Sequence, residues 1–137
     1  MFAIMAGAGA QNMQPATMHI VVPLPAGGTS DLLARVLAES LKADVARSVI
    51  VNNRPGASGR IAVDALRSAA PDGSTVMLAP FAVAVLVPLT LKDVHYDPAR
   101  DLVPVAQVDT FDYALAVAGD HPARDLAQLL VWREGNP

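Results

Sequence analysis

The sequence predicts an α/β fold in which helices flank a parallel β-sheet. Short segments rich in β-branched residues alternate with longer segments whose apolar residues recur at helical spacing. The links between these segments are short, and two of them carry a pair of glycines directly after a predicted strand. Strands and helices that alternate in this way form parallel sheets, whose ligands bind at the carboxyl ends of the strands.

The first predicted helix is the clearest element of the chain. Its apolar residues recur at helical spacing, and these are Leu32, Leu33, Val36, Leu37 and Leu41, while Arg35, Glu39 and Lys42 take the other face. A later helix is expected to stop at Pro88, because proline cannot continue a helix. The predicted strands cover residues 19–24, 48–53, 75–79, 103–108 and 113–118, and the predicted helices begin near Thr29, Ile61, Phe81 and Asp125.

The composition excludes several classes of protein. Hydrophobic residues make up 53% and charged residues 17% of the chain, which suits a packed core rather than a disordered chain. Aromatic residues are only 4%, and the net charge is −3 with Lys and Arg scattered singly, so no nucleic-acid partner is expected. The absence of cysteine excludes disulfides, thiolate nucleophiles and cysteine-based metal sites.

Residues 1–18 are expected to be either a signal-peptide remnant or a disordered extension. Ala8-Gly9-Ala10 before Gln11 has the A-x-A form of a signal-peptidase site, but no basic region precedes it. The apolar start is also far too short to span a bilayer.

The first glycine-bearing loop, which follows residues 19–24, is the strongest candidate for a binding site. Gly27 and Gly28 allow the backbone to approach a ligand closely. The N–H groups at the start of the next helix lack intrahelical partners and, with the helix dipole, favour an anion. The hydroxyls of Thr29 and Ser30 can add donors. A tight turn that binds nothing is an equally good interpretation. Asp31 can orient the loop, cap the helix or touch a ligand, and capping is favoured.

The second glycine-bearing loop, Gly56-Ala57-Ser58-Gly59, repeats this arrangement before the second helix. In a parallel sheet it lies beside the first loop, so both loops can hold one ligand. The alternative is a plain connection in which Gly59 only starts the helix.

The sequence contains no motif of a nucleotide-binding or catalytic site. Neither loop has the G-x-G-x-x-G spacing, the P-loop pattern is absent, and Asn52 and Asn53 stand where an acidic residue would hold a ribose. The G-x-S-x-G elbow of serine hydrolases is also absent. His19, His95 and His121 are far apart and are expected at the surface or at strand edges. We therefore expect no catalytic residue, no metal site and no cofactor.

Four motifs follow one another in a recognisable order. They are Pro23-Leu24-Pro25-Ala26-Gly27-Gly28-Thr29-Ser30-Asp31, Asn53-Arg54-Pro55-Gly56-Ala57-Ser58-Gly59, Ala69-Ala70-Pro71-Asp72-Gly73-Ser74-Thr75 and Tyr96-Asp97-Pro98-Ala99-Arg100-Asp101-Leu102-Val103-Pro104-Val105. In this order they resemble the Bug family, the receptors of tripartite tricarboxylate transporters.

The resemblance implies an α/β fold like that of type II periplasmic binding proteins, which close on a ligand between two lobes. It implies a periplasmic location, a small carboxylate as the ligand and a membrane tripartite tricarboxylate transporter as a partner. The backbone N–H groups of both loops would hold the carboxylate, partly through water. The implied ligand-binding residues are Leu24, Pro25, Ala26, Gly27, Gly28, Thr29, Ser30, Asp31, Gly56, Ala57, Ser58, Gly59, Pro80, Phe81 and Ala82.

Three departures from the family pattern leave the ligand's identity open. Leu24 replaces the usual aromatic residue, and Ser74 replaces the usual tyrosine. The segment Ala79-Pro80-Phe81-Ala82-Val83 stands where many members have residues rich in Ser, Thr and Gly, so it offers few side-chain donors.

Family members are considerably longer than this chain and fold into two lobes. We therefore expect an incomplete first lobe over residues 19–108 and the start of a truncated second lobe over 109–137. With one complete wall of a cleft, the chain is expected to bind weakly and to self-associate through apolar surface. Two alternatives remain, namely a non-functional fragment or interaction module and, less favoured, a nucleotide-binding Rossmann-like enzyme domain.

Overall fold

The computed structural model describes residues 15–42 and 44–136. Most of the predicted signal-peptide remnant or extension, including its A-x-A pattern, lies outside the described residues. The chain divides into two compact units between Val103 and Pro104.

The first unit is built around a three-stranded parallel sheet in the order β2-β1-β3, which confirms the predicted parallel architecture. The strands are β1 at Thr17–Val22, β2 at Ser48–Asn53 and β3 at Thr75–Met77. β1 pairs with β2 along its whole length, and Val22 at its end lies opposite Asn53. β1 ends before Pro23, which has no N–H group to continue the pairing.

Helix α1, Thr29–Leu41, covers one face of the sheet. Ile20 and Val22 of β1 form a core cluster there with Ala34 and Ala38 of the helix. Alanine at both helix positions lets the helix backbone approach the sheet closely. The predicted apolar face was partly wrong, because the buried stripe is centred on these alanines: Leu37 and Leu41 pack against the cluster, but Leu32 and Val36 are exposed.

Helix α2, Arg60–Arg67, lies over the opposite face. The faces can be told apart in β3, where Val76 packs with the α1 cluster while Met77 packs with the cluster around Val63 of α2. This alternation is the period of two expected of a strand that is covered on both sides. Val63 itself is fully buried.

Three short helices complete the first unit, and they correct one prediction. They are α3 at Phe81–Ala84, α4 at Leu86–Thr90 and α5 at Pro98–Asp101. The prediction that a single helix stops at Pro88 was wrong, because Pro88 lies inside α4. Proline is tolerated there because the N–H groups of a first helical turn have no intrahelical acceptor.

The second unit contains one helix, α6 at Leu126–Gly135, among its described residues. Asp125 caps it by accepting a hydrogen bond of 2.8 Å from the N–H group of Gln128. The predicted strands at 103–108 and 113–118 were wrong, since no strand forms over these residues in the described chain. An alternating apolar pattern gives a strand only when a neighbouring strand supplies the hydrogen-bond ladder.

No helix within the described ranges is both long enough and apolar enough to cross a membrane.

Candidate functional site

The structure brings three of the predicted site segments together at one edge of the sheet. Loop 1 (residues 23–28) follows β1, loop 2 (residues 54–59) follows β2, and loop 3 (residues 78–80) follows β3. Because the strands are parallel, all three loops leave the same edge. A Cβ atom added to Gly59 would lie 3.4 Å from Cβ of Pro23 and 2.9 Å from Cγ2 of Val83, so the three segments meet at this glycine.

Two hydrogen bonds join the end of β1 and loop 1 to the end of β2 and loop 2. The N–H group of Arg54 donates to the carbonyl of Val22 over 2.7 Å. The side-chain amide of Asn53 donates to the carbonyl of Leu24 over 3.1 Å. These bonds fix the start of loop 1 against loop 2.

Within loop 1, the N–H group of Gly27 is hydrogen-bonded to a side chain of the protein. Its φ of +87° lies in the region that favours glycine. This N–H group donates to Oδ2 of Asp31 over 2.8 Å. Asp31 therefore reaches back in front of α1 and closes the turn.

The carboxylate of Asp31 is buried, with 3% of the residue exposed. Arg35 donates from Nε to Oδ2 over 3.0 Å. This bond, followed by the one from Gly27, lowers the pKa of Asp31 to about 2, against the opposing effect of burial, and the nearby Asn53 amide lowers it further. Oδ1 is buried without a hydrogen-bond partner among the described residues. Asp31 is thus a charged group held inside the turn.

The next three N–H groups remain available at the start of α1. In the described part of the chain, those of Gly28, Thr29 and Ser30 make no hydrogen bond, and the helical pattern begins with Leu32 donating to the carbonyl of Gly28 over 3.0 Å. Gly28 occupies the N-cap position, and no side chain caps the helix. Three neighbouring donors and the positive end of the helix dipole can bind a carboxylate oxygen.

Loop 2 contains four consecutive residues with positive φ. The values are +124° for Gly56, +47° for Ala57, +55° for Ser58 and +89° for Gly59. The N–H group of Gly59 donates to the carbonyl of Gly56 over 2.9 Å. Among the described residues, the N–H groups of Ala57 and Ser58 make no hydrogen bond, so this turn also carries two unused donors.

Loop 3 and the start of α3 supply apolar surface rather than polar groups. Phe81 is 47% exposed and Leu24 of loop 1 is 40% exposed, while Pro80 and Ala82 add no side-chain donor. The carbonyl of Val83 accepts a hydrogen bond from the buried hydroxyl of Tyr96. Burial raises the pKa of this Tyr96 hydroxyl, and the charge of Arg60 opposes the shift.

The three histidines take part in separate local contacts. Nδ1 of His19 lies 3.0 Å from the side-chain nitrogen of Asn52 within the sheet. The ring of His121 packs edge-on against Trp132. The carbonyl of His95 accepts from Arg67. Among the described residues, no group of three or more His, Asp or Glu side chains could hold a metal ion.

A cavity of about 220 Å³ lies within the second unit. Leucine and valine side chains make up much of its lining, together with Arg124 and Asp125. Arg124 donates to the carbonyl of Gly119, and Asp125 caps α6, so both polar residues are engaged locally. The cavity therefore lacks the convergent polar groups that a small-molecule site normally has.

The sequence did not reveal the roles of Asn53 and Arg60 in shaping this site. Asn53 could be placed at the end of a strand, but its bond to Leu24 spans 29 positions. Arg60 donates to the carbonyl of Asp93, 33 positions away. No local spacing predicts such contacts.

Comparison with known proteins identifies the family of this chain. The model of the tripartite tricarboxylate transporter family receptor matches residues 33–137. The chain belongs to this family. One of its relatives is a UPF0065 protein of Bordetella bronchiseptica, which is 38% identical over 123 residues that make up 90% of this chain and 37% of the relative. The chain thus spans well under half the length of that relative.

Two solved structures resemble this chain, which is a member of the tripartite tricarboxylate transporter receptor family. One is Rpa4515 of R. palustris with adipate, with 31% identity, a TM-score of 0.74, and coverage of 90% of this chain and 42% of that one. The other is the periplasmic binding protein BugD, with 27% identity, a TM-score of 0.57, and coverage of 88% and 40%. They confirm the predicted membership of the Bug family and the type II-like α/β fold.

Proposed function

We propose that this chain belongs to a periplasmic solute-binding protein that holds a small carboxylate without transforming it. The carboxylate is bound by backbone N–H groups of loops 1 and 2, directly or through water. The proposed ligand-binding residues are those predicted from the sequence, with the N–H groups of Gly28, Thr29 and Ser30 as the central donors. The N–H group of Gly27 is not one of these donors, because it is bonded to Asp31.

The arrangement at the start of α1 is the observation that carries this proposal. A helix of 13 residues begins without a side-chain cap, so its first N–H groups remain available at the edge where the three loops meet. A carboxylate at this position satisfies these donors and interacts favourably with the helix dipole. The negative charge of Asp31 is offset by Arg35, so it opposes such a ligand less than an isolated carboxylate would.

The similar proteins support the ligand class and the partner. Rpa4515 was solved with adipate, a dicarboxylate. The family is that of receptors for tripartite tricarboxylate transporters, so the proposed partner is a membrane transporter of this type. The division into a first lobe over residues 19–108 and a second lobe from 109 onward stays a prediction.

An amide-resolved titration tests the binding mode. The ¹⁵N-labelled chain is titrated with adipate and, as a matched neutral control, with adipamide. We expect the amide signals of Gly28, Thr29, Ser30, Ala57 and Ser58 to shift with adipate alone. Because the loops are open to solvent, we expect a weak affinity, in roughly the millimolar range.

The amide of Ser74 serves as an internal reference. It already donates to Oδ1 of Asp72 over 2.9 Å in a separate turn, so it should not respond. Shifts that are equal for adipate and adipamide, or that leave the start of α1 unchanged across a panel of carboxylates, would contradict the proposal.

A further inference from the structure

Loop 2 holds two non-glycine residues in a conformation that L-amino acids avoid. Ala57 and Ser58 both have positive φ, at +47° and +55°. Each such residue is strained, because its Cβ atom approaches the following carbonyl oxygen. Two in succession remain in this conformation only when surrounding contacts hold them there.

Arg60 makes the contacts that hold this turn. Its Nε donates to the carbonyl of Ala57 over 2.9 Å, and its own backbone N–H group donates to the same carbonyl. Its Nη1 donates to the carbonyl of Asp93 over 2.7 Å. One guanidinium therefore bridges the strained turn and the segment that follows α4.

The same segment supports the turn from a second direction. Tyr96 donates its hydroxyl hydrogen bond to the carbonyl of Val83. The side chain of Val83 lies so close to Gly59 that a Cβ atom there would be 2.9 Å from Cγ2 of Val83. The residues around Asp93 and Tyr96 thus fix both ends of the turn.

We infer that Arg60 is a positioning residue, which holds loop 2 in its left-handed form so that the N–H groups of Ala57 and Ser58 face the ligand. This inference rests on the proposed carboxylate site. The guanidinium acts on the turn rather than on the ligand, because its Nε and Nη1 donate to the carbonyls of Ala57 and Asp93. Without it, the strain is relieved by a rotation of the turn, and the two N–H groups leave the site.

Three substitutions separate positioning from simple charge. Arg60→Ala removes the bridge, and Arg60→Lys keeps the charge but not the fork that can reach two carbonyls. Arg67→Ala is the matched control, because Arg67 lies on the same helix and donates to the carbonyl of His95 in the same segment without touching loop 2. We expect R60A and R60K each to weaken adipate binding about fivefold, and R67A to leave it unchanged.

A ligand-free measurement makes the test independent of the binding proposal. In R60A we expect faster amide hydrogen exchange and altered backbone chemical shifts at Ala57, Ser58 and Gly59, with loop 1 unchanged. If these signals stay as in the wild type, the inference is wrong, whatever the ligand does. If they change but no carboxylate shifts the amides of loops 1 and 2 in the wild type, the proposed function fails and the structural role of Arg60 stands.

A further set of variants tests whether Arg60 acts by holding the strained turn. Ala57→Gly and Ser58→Gly together remove the steric penalty of the left-handed turn. When they are added to R60A, we expect adipate binding to return to within about twofold of that of the A57G/S58G double variant. R60A binding at wild-type strength, R60K retaining full affinity, or a triple variant no better than R60A would each overturn the inference.

Discussion

Asp31 shows how one side chain defines the usable part of the site. Its carboxylate accepts hydrogen bonds from the N–H group of Gly27 and from Arg35, and the charge of Arg35 offsets its negative charge. The sequence left three roles open for this residue, namely orientation of the loop, capping of the helix and contact with a ligand. The contacts show a carboxylate that closes the turn preceding the helix, as in the first of these roles, while the N–H groups of Gly28, Thr29 and Ser30 remain available. Capping patterns in sequence do not distinguish these geometries, because the same carboxylate can reach either set of N–H groups.

The depressed pKa of Asp31 predicts a specific loss of stability in acid. Its value in the folded chain is about 2, against an ordinary value of 3.8. The charged form is therefore favoured by folding, so its contribution is complete above about pH 4 and is lost as the pH falls through 2. We expect Asp31→Asn to reduce the free energy of unfolding near neutral pH and to flatten its decline between about pH 4 and 2.

Urea unfolding followed by circular dichroism at a series of pH values measures this effect. Glu39→Gln is a suitable control, because it changes an exposed carboxylate on the same helix that pairs only with Lys42 among the described residues. It should keep the wild-type pH dependence. Identical slopes for D31N and the wild type in acid would refute the assigned role of Asp31.

At the scale of elements, the sequence predicted the three strands of the first unit's sheet and the helices α1 and α2 that cover it. The bounds of β2 and the start of α1 agree with the prediction, because a short run of β-branched residues and an apolar repeat at helical spacing are typical of these two kinds of element. The strands expected at 103–108 and 113–118 failed, because a strand depends on a partner that the local pattern does not contain. The prediction that a helix stops at Pro88 was also wrong. Pro88 lies in the first turn of α4, where proline is tolerated.

The uncapped start of α1 predicts a conflict between stability and binding. Gly28 has a φ of −82° and a ψ of 173°, which any residue can adopt, and an added Cβ atom would meet only the carbonyl oxygen of Pro25 at 3.7 Å. We expect Gly28→Ser to stabilise the chain by a few tenths of a kcal/mol, because its hydroxyl can cap the helix. We expect the same change to weaken carboxylate binding, because the cap competes for the N–H groups of Ser30 and Asp31.

Thermal unfolding and the adipate titration measure the two effects separately. Gly28→Ala is the matched control, because it adds a Cβ atom without a hydroxyl. It should not stabilise the helix, and it should weaken binding less than G28S. A serine variant that binds adipate as well as the wild type would show that these N–H groups are not used by the ligand.

At the scale of the molecule, the topology explains why the loops of the candidate site lie together better than any single motif does. A parallel sheet brings the loops after β1, β2 and β3 to one edge, and the glycine pattern identified the first two of them. The bridge from Arg60 to Asp93 could not be predicted, because it depends on how the segment after α4 returns to α2. Such contacts arise from the packing of whole elements.

The second unit predicts self-association of this chain. Several of its large apolar side chains are strongly exposed, with values of 87% for Val105, 73% for Leu115 and 70% for Val131. Burying such surface is favourable by about 25 cal/mol per Å². We expect sedimentation equilibrium to give a mass that rises with concentration, and the triple variant V105T/L115Q/V131T to lower it toward that of a monomer.

A control variant tests whether an exposed apolar residue outside the second unit has the same effect on association. Leu89 of α4 is 78% exposed but belongs to the first unit, so Leu89→Gln should leave the association unchanged. A wild-type chain that stays monomeric at every concentration would rule out self-association through this surface.

The central position of β1 has a consequence for the chain during its synthesis. Both of its neighbours come later in the sequence, and β3 ends at Met77, roughly 55 residues after β1 is complete. At roughly 5–20 residues per second, the ribosome needs about 3–11 s to supply the second neighbour. During this time Ile20, Val21 and Val22 have no finished sheet to enter, so the nascent chain exposes the apolar residues of its central strand before both neighbours exist and needs protection from aggregation.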